Sequence, residues 1–194
     1  YPTNTILKEF IKNEDFDPES VKFISPDTGA MDRAKYYANM FQADVGMFHK
    51  RRDYSKIVDG KNPIVAHNYL GGNLEGETAI VIDDMIASGS SMIEVGERLK
   101  ELGANKVYFI TTFSLFTAGI DVFNEAYKNG IFEKLYTTNL SYIPDEYKKF
   151  NWLNVVDCSR RIGEIIDNIH KSKSLSKLSN DNERVIKLLE GKIK

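Results

Sequence analysis

Short runs of apolar, often β-branched residues alternate along this chain with longer stretches in which apolar residues recur every three or four positions. The short runs are typical of buried parallel strands, and the longer stretches are typical of helices that cover a sheet. This alternation predicts a three-layer α/β fold, in which a mostly parallel central sheet is flanked by helices. The predicted strands are 21–25, 45–49, 78–82, 107–111, 134–138 and 155–157.

Helices are expected between these strands and at both ends of the chain. Their predicted ranges are 4–13, 29–41, 91–102, 119–128, about 162–169 and about 185–189. We expect the side chain of Asn4 or Thr5 to cap the first helix, and Gly103 to end the third in a left-handed conformation. Residues 64–68 with the turn 71–73 suggest a short hairpin, and the polar stretch 53–63 is predicted to be a mobile loop.

The length and composition of the chain set its size class. Its 194 residues are 42% hydrophobic, which is enough to bury one sizeable core. We therefore expect one domain over residues 1–171 and a C-terminal extension over residues 172–194. The chain opens on Tyr1 rather than on methionine and enters a helical pattern almost at once, so we expect it to be part of a longer protein.

Charge and cysteine content argue against several classes of partner. The 26 basic residues nearly balance the 28 acidic residues, so no global positive field would steer the chain onto nucleic acid or an acidic membrane. No apolar run approaches the roughly 20 residues that span a bilayer. Cys158 is the only cysteine, which excludes an internal disulfide and a cysteine-based zinc site and favours the cytoplasm. We expect a small-molecule partner.

One strand leads into a segment with the chemistry of a phosphate site. The apolar strand 78–82 ends in two acidic residues and is followed by the loop Ser88, Gly89, Ser90 and Ser91 ahead of a helix. Open α/β sheets bind ligands at the carboxyl ends of their strands, and a helix N-terminus offers free N–H groups to a phosphate. Gly89 lets the backbone come close, while the serines add hydroxyl donors. We call residues 88–91 the cradle.

The two acidic residues between this strand and the cradle are Asp83 and Asp84. Adjacent residues at a strand end diverge, so the two carboxylates are expected to have different tasks. One can accept hydrogen bonds from vicinal hydroxyls, and the other can face a metal or a developing charge. A sugar phosphate would satisfy the acids and the cradle together. The alternative is a strand-terminal turn followed by an ordinary helix N-cap.

Residues 81–91 run Val-Ile-Asp-Asp-Met-Ile-Ala-Ser-Gly-Ser-Ser. Two apolar residues, two acids and a Ser/Thr-Gly-x-Ser/Thr loop, in this order, resemble the phosphoribosyl pyrophosphate motif of type I phosphoribosyltransferase folds. The resemblance implies that fold for the chain. It also implies that ribose 5-phosphate is bound by Asp83, Asp84, Ser88, Gly89, Ser90 and Ser91.

Further segments narrow the resemblance to one family. They are 25–29 followed by Arg33, 48–52, 103–104 before 107–108, and 137–139 before 143–144. In order and approximate spacing they resemble ribose-phosphate diphosphokinases, over most of the chain up to about His170. The resemblance implies transfer of diphosphate from ATP to ribose 5-phosphate, with Mg²⁺, to give phosphoribosyl pyrophosphate and AMP for nucleotide biosynthesis. It also implies a homo-oligomer.

A basic cluster after the second predicted strand supplies candidate catalytic residues. Lys50 and Arg52 match the catalytic pair of that family, at the root of the predicted loop 53–63. Cations at this place would stabilise charge that develops on the transferred group, whereas the alternative is a solvated basic turn. The resemblance also gives Asp27 a role near the metal or the substrate phosphates. A plain turn aspartate is the alternative for Asp27.

The chain departs from the family pattern at several points. Ala87 stands where diphosphokinases usually have a third acid, and Phe113-Ser114 replaces a common His-Gly pair. The family has two similar domains in tandem, and the first supplies most of the ATP-binding residues. The resemblance therefore implies the C-terminal, ribose-phosphate-binding half of such an enzyme, catalytically incomplete alone. The alternatives are a nucleobase phosphoribosyltransferase, which Ala87 favours, and a non-catalytic regulatory subunit, against which Lys50 and Arg52 count.

Overall fold

The computed structural model describes residues 2–52, 64–176 and 182–192, with the backbone alone for residues 50–52 and 64–67. The strands in these ranges are β1 (Val21–Ser25), β2 (Asp44–Arg52), β3 (Ile64–Leu70), β4 (Thr78–Ile86), β5 (Lys106–Ser114), β6 (Lys134–Thr138) and β7 (Leu153–Val156). The α-helices are α1 (Thr3–Asn13), α2 (Met31–Phe41), α3 (Ser90–Glu101), α4 (Asp121–Lys128), α5 (Ser159–His170) and α6 (Asn182–Glu190).

The strands form one sheet in the order β3-β2-β1-β4-β5-β6-β7. All neighbouring strands are parallel except β3, which lies at the edge and runs antiparallel to β2. Helices cover both faces, so the predicted three-layer α/β fold with a mostly parallel sheet is confirmed. The β4 strand lies at the centre between β1 and β5, as its continuous apolar sequence predicts.

The hairpin predicted from residues 64–73 is wrong. β3 pairs antiparallel with β2, the strand that precedes it in the sequence. Phe48 lies opposite Tyr69, and their ring centroids are 5.4 Å apart. The segment after β3 leads instead to β4, which is separated from β3 by two strands of the sheet. The turn residues 71–73 therefore begin a crossover. The predicted loop 53–63, which joins β2 to β3, lies outside the described residues.

Successive residues of β4 serve two separate cores, because side chains alternate between the faces of a strand. Ala79 and Val81 point to the core under α3 and α4, whereas Ile80 and Ile82 point to the core under α1, α2 and α6. All four side chains are fully buried. This division places α3, which follows the cradle, in one layer and α1, α2 and α6 in the other.

The C-terminal helix α6 packs against the rest of the chain. Val185 and Leu189 are buried in the core beside α1 and α2. At the start of α6, the Asn4 amide donates to the Asn182 side-chain oxygen at 2.9 Å. After its end, the Lys192 ammonium donates to the Glu14 carbonyl at 2.6 Å. The division of the chain at residue 171 stays a prediction.

The predicted helix ends have mixed outcomes. Gly103 follows α3 with φ of +89°, as expected for a glycine that ends a helix. The expected side-chain cap of α1 is wrong, because the helix begins at Thr3 and Pro2 occupies the cap position. Asn4 lies inside the first turn of α1 and its amide bonds to α6 instead. The Asn4 side chain thus makes a tertiary contact with α6 in place of the predicted cap of its own helix.

Helix α5 carries an apolar face that the described residues do not bury. The predicted isoleucine pattern is present, but Ile162, Ile166 and Ile169 are exposed, and no residue of α5 is fully buried. Gly163 lies beside them with open space around it. No helix within the described ranges is both long enough and apolar enough to cross a membrane.

A buried ion pair joins the end of α1 to β6. The Glu14 carboxylate is almost fully buried and accepts hydrogen bonds from the Lys134 ammonium at 2.8 Å and the Tyr136 hydroxyl at 2.5 Å. Burial, and then the hydrogen bond to Glu14, raises the pKa of the Tyr136 hydroxyl.

Glu14→Ala should lower the free energy of unfolding by about 2–4 kcal/mol, because it leaves the Lys134 and Tyr136 donors without their acceptor. Urea denaturation measures the loss. The control is Glu9→Ala, which removes an exposed pair with Lys12 and should cost less than about 1 kcal/mol. Equal losses in the two variants would show that the buried pair has no special weight.

Candidate functional site

The acidic residues lie within β4 rather than after it. The strand was predicted to end at residue 82, but its ladder with β5 continues through Asp83 opposite Thr111 and Ile86 opposite Ser114. The side chain of Asp83 is 26% exposed and that of Asp84 is 61% exposed. Adjacent positions on the strand thus give the two carboxylates different surroundings.

A basic residue from a neighbouring element contacts both acids. Arg33 lies in the first turns of α2, and its guanidinium places one nitrogen 3.7 Å from Asp83 Oδ1 and the other 3.4 Å from Asp84 Oδ2. The contact is possible because β1, which leads into α2, is the direct neighbour of β4. Sequence reasoning did not assign Arg33 a role, although it belongs to a segment that carried the family resemblance.

The carboxyl group of Asp83 has a perturbed acidity. Burial, together with the negative charges of Asp84 and Asp27, raises the pKa of Asp83 from 3.8 to about 6, while the backbone N–H of Asp84 opposes this shift. A raised pKa in the folded state means that protonation favours folding. This stabilisation is complete below pH 3.8 and is lost as the pH rises through about 6.

At pH 7.5, Asp83→Asn should therefore be more stable than the unchanged chain. The free energy of unfolding of the variant minus that of the unchanged chain should be about 1–2 kcal/mol larger at pH 7.5 than at pH 4.5. Urea denaturation at the two pH values measures this. The exposed Asp145 pairs with Lys148 in its own turn, and this contact lowers the pKa of Asp145 rather than raising it, so Asp145→Asn should leave the pH dependence between pH 4.5 and pH 7.5 unchanged. If Asp83→Asn keeps the pH dependence of the unchanged chain, Asp83 does not titrate in this range.

Asp27 organises the turn between β1 and α2. Its Oδ1 accepts hydrogen bonds from the backbone N–H groups of Gly29 at 2.8 Å and Ala30 at 3.1 Å. The Ser25 hydroxyl donates to the Asp27 carbonyl at 2.6 Å. These contacts favour the turn role that was the alternative for Asp27. They engage one of its two carboxylate oxygens.

The cradle begins α3 as predicted. Gly89 is the N-cap of the helix with φ of +95°, and α3 starts at Ser90, one residue earlier than expected. The Ser88 and Ser90 hydroxyls lie 3.2 Å apart, and the side chains of Ser90 and Ser91 are exposed. The loop thus combines exposed serine side chains with the N-terminal turn of a 12-residue helix.

The cradle rests on an aromatic side chain that sequence reasoning missed. A Cβ atom at Gly89 would lie 2.3 Å from the ring of Phe123, a fully buried residue of α4. Phe123 is fixed by edge contact with Phe116 at 5.3 Å and by stacking on Trp152 at 5.7 Å. The apolar pattern of α4 indicates that Phe123 is buried, but it does not indicate which residue Phe123 contacts. Glycine is thus required here by its backbone angle and by this ring.

A second loop supports the segment between the acids and the cradle. After β5 the backbone N–H of Leu115 donates to the Ile86 carbonyl at 2.8 Å, and that of Thr117 donates to the Ala87 carbonyl at 2.9 Å. These bonds continue the β4–β5 ladder into the loop region. They fix the backbone that connects Asp84 to Ser88.

Lys50 and Arg52 lie on a two-stranded ribbon that projects beyond the sheet. Met47 pairs with Ser25, the last residue of β1, and β2 then continues to Arg52 with β3 as its partner. The strand is therefore longer than the predicted 45–49. Lys50 is opposite His67 in the ladder, and the side chains of Lys50 and Arg52 lie outside the described residues. The ribbon leaves the sheet at the same edge as Asp83 and the cradle.

Within the described residues, no preformed metal site accompanies this arrangement. In the part of the chain that the structure describes, no group of three or more histidine, cysteine, aspartate or glutamate side chains could hold a metal ion by itself. The carboxylates near the cradle are Asp27, Asp83 and Asp84, and Arg33 neutralises part of their charge. A cation held by these carboxylates would complete its coordination with further oxygen ligands, such as water or a bound phosphate.

The fold and the site together define a class. A mostly parallel sheet whose central strand carries paired aspartates and leads through a Ser-Gly-Ser loop into a helix is a type I phosphoribosyltransferase-like α/β protein. Residues 55–180 match the family described as the phosphoribosyl synthetase-associated domain, and the chain belongs to that family.

Individual relatives agree with this assignment. The ribose-phosphate pyrophosphokinase of Mycoplasmopsis pulmonis is 27% identical over 179 residues, which are 90% of this chain and 53% of the relative. That of Synechococcus elongatus is 30% identical over 156 residues, 80% of this chain and 44% of the relative. The fold is similar to the crystal structure of phosphoribosylpyrophosphate synthetase from Mycobacterium smegmatis, with a TM-score of 0.68, 21% identity, and coverage of 88% of this chain and 50% of that one.

The chain thus spans about half the length of the curated relatives that it matches. The resemblance to ribose-phosphate diphosphokinases that the sequence predicted is confirmed at the level of the family and the fold.

Proposed function

We propose that this chain is the ribose 5-phosphate-binding half of a ribose-phosphate diphosphokinase, which transfers diphosphate from ATP to ribose 5-phosphate and releases AMP. The observation that carries the proposal is the position of the aspartate pair and the cradle on one central strand–loop–helix unit. The names of the relatives support the activity.

The cradle is suited to the 5-phosphate of the sugar. Ser90 and Ser91 begin α3, so their N–H groups and hydroxyls face the phosphate at the positive end of the helix. Gly89 brings the backbone close, and Ser88 adds a further hydroxyl. The sugar hydroxyls would then donate to Asp83 and Asp84, which lie directly upstream.

Lys50 and Arg52 would act on the diphosphoryl group. In the transfer the anomeric oxygen forms a bond to the β-phosphorus of ATP, and the bond between that phosphorus and the α-phosphate oxygen breaks to release AMP. Charge on the moving phosphoryl oxygens is stabilised by nearby cations, and arginine offers a planar fork while lysine offers a movable charge. The backbone of both residues lies on β2 beyond its pairing with β1, toward the carboxyl ends of the parallel strands, which supports this role.

The residues near the cradle fit a magnesium ion held jointly with substrate. Mg²⁺ binds oxygen ligands and commonly uses one or two carboxylates together with substrate phosphates. Asp27 and the Asp83–Asp84 pair supply such carboxylates without forming a complete cage. When bound, the ion would neutralise negative charge on the phosphate groups. A homo-oligomer and a cytoplasmic location stay expectations, the second resting on the single, buried Cys158.

Calorimetry with ribose 5-phosphate and Mg²⁺ tests the proposal. The chain should bind ribose 5-phosphate, and an assay for AMP release from ATP should show little turnover, because the chain spans about half the length of its diphosphokinase relatives. Asp84→Ala should weaken the binding, whereas Asp145→Ala, an exposed acid remote from the cradle in sequence, should not. If neither ribose 5-phosphate nor phosphoribosyl pyrophosphate binds, the cradle is only a structural turn.

A nucleobase phosphoribosyltransferase is the second candidate, because Ala87 lacks the third acid expected of diphosphokinases. Met85 lies two residues before Ala87, and Phe113 is its partner across β4 and β5. Both side chains are exposed and could contact a base. Release of diphosphate from phosphoribosyl pyrophosphate on addition of purine or pyrimidine bases would favour this candidate. Binding without any AMP release by the complete protein would favour a regulatory subunit.

A further inference from the structure

A second concave site lies in the helical layer on the opposite face of the sheet from α3. It is a groove of about 660 Å³ between α1, α5 and α6. Its volume falls within the range of roughly 300–1,000 Å³ that is usual for small-molecule pockets. Within the described ranges, six basic side chains line it: Lys8, Lys12, Arg160, Arg161, Arg184 and Lys187.

Each helix turns one face toward the groove. Lys8 and Lys12 are four residues apart on α1, and Arg184 and Lys187 are three apart on α6, which places each pair on one side of its helix. Arg160 and Arg161 lie in the first turn of α5. Basic residues from three separate helices therefore converge on one space.

Three acidic side chains are found among the described lining residues. Glu9 pairs with Lys12 at 3.2 Å, and Glu164 contacts both arginines of α5. Asp157 accepts hydrogen bonds from the Ser159 N–H and the Asn139 amide. Among the described lining residues, six basic side chains outnumber three acidic ones, whereas the whole chain has a net charge of −2. A concave, positively charged wall concentrates field lines and attracts anions.

Arg161 is the best placed of these cations. Its side chain is 20% exposed, whereas the side chain of the adjacent Arg160 is 92% exposed. The Arg161 guanidinium lies 3.7 Å from Glu164 Oε2, a distance at which the two charges attract each other but this nitrogen and oxygen are not hydrogen-bonded. A guanidinium held in this way is pre-positioned for two hydrogen bonds to a phosphate.

We propose that this groove binds a small polyanion that carries two or more phosphate groups, with Arg161 as the anchor. The site goes beyond the proposed function, because α6 forms one of its walls and lies after residue 180, where the match to the family ends. It is also separate from the cradle, since α3 packs in the other core.

Calorimetry with inorganic triphosphate, in magnesium-free buffer of low ionic strength, tests the proposal. The combined change Arg161→Gln and Lys187→Gln should weaken binding by about tenfold or more, because charge-assisted hydrogen bonds are lost. The matched control is Arg98→Gln with Lys128→Gln, which removes the same charges from α3 and α4 and should leave the affinity unchanged. A nucleoside triphosphate in place of the inorganic ion asks whether the phosphate chain alone or a nucleotide is bound.

Amide shifts in ¹⁵N-labelled chain locate the ligand. Shifts confined to residues 157–164 and 184–188 would support the groove. Shifts confined to residues 88–92, equal weakening by both double variants, or no binding at all would overturn the proposal. Binding of ribose 5-phosphate, measured separately, reports on the cradle, so failure of one site is distinguishable from failure of the other.

Discussion

Gly89→Ala should abolish measurable binding of ribose 5-phosphate and lower the free energy of unfolding by about 2–4 kcal/mol. Alanine is strained at φ of +95°, and its methyl group would lie 2.3 Å from the Phe123 ring. The ring cannot retreat, because it is buried against Phe116 and Trp152. The loop must therefore move, and the N–H groups at the start of α3 move with it. Calorimetry and urea denaturation measure the two effects.

Gly130→Ala is the matched control for this change. Gly130 also has a positive φ, +69°, but a Cβ atom there would meet nothing within 4 Å. Its replacement should cost about 1 kcal/mol and leave ligand binding intact. Combining Gly89→Ala with Phe123→Leu should restore part of the binding by making room for the methyl group. Equal losses for Gly89→Ala and Gly130→Ala would show that the ring contact is unimportant.

Lys50→Ala in the full-length protein should lower kcat on the order of 100-fold or more, with a small change in KM for ribose 5-phosphate. The reason is that Lys50 is proposed to meet charge only on the transferred group. Asp84→Ala should instead raise KM for ribose 5-phosphate, because it removes an acceptor for the sugar hydroxyls. Steady-state release of AMP gives both constants.

Arg51→Ala provides the control on the same strand, since Arg51 has no assigned role and should leave kcat within a few-fold of the unchanged enzyme. Equal effects of the Lys50 and Asp84 changes on KM would mean that the two roles are wrongly assigned. A large loss of kcat with Arg51→Ala would point to the strand as a whole rather than to one cation.

The apolar pattern predicts the buried parts of the sheet well and its ends poorly. The bounds of β1 and β6 agree with the prediction, because both strands change abruptly from apolar to polar or turn residues. β4 and β5 run four and three residues further than predicted, through polar positions such as Asp83 and Thr112. Their ladder is held by backbone hydrogen bonds, which hydrophobicity does not report.

Contacts between elements that are far apart along the chain could not be predicted from the sequence either. The aspartate pair and the cradle could be located because they form one continuous segment. Arg33 and Phe123 belong to other helices and reach the site only through the strand order and the packing of the layers. The partner of β3 was mistaken for the same reason, since a strand's sequence does not state which neighbour it pairs with.

The position of Arg33 has a consequence for the order in which ligands arrive. The Arg33 guanidinium offsets one of the two negative charges of Asp83 and Asp84, so an incoming sugar phosphate is repelled less than it would be by the two carboxylates without Arg33. Without Arg33 the same patch would hold two uncompensated charges. We expect it then to recruit divalent cations first and the sugar second. Arg33 is not assigned a contact with phosphate or base in the proposed function. It would nevertheless determine the order in which the ligands bind.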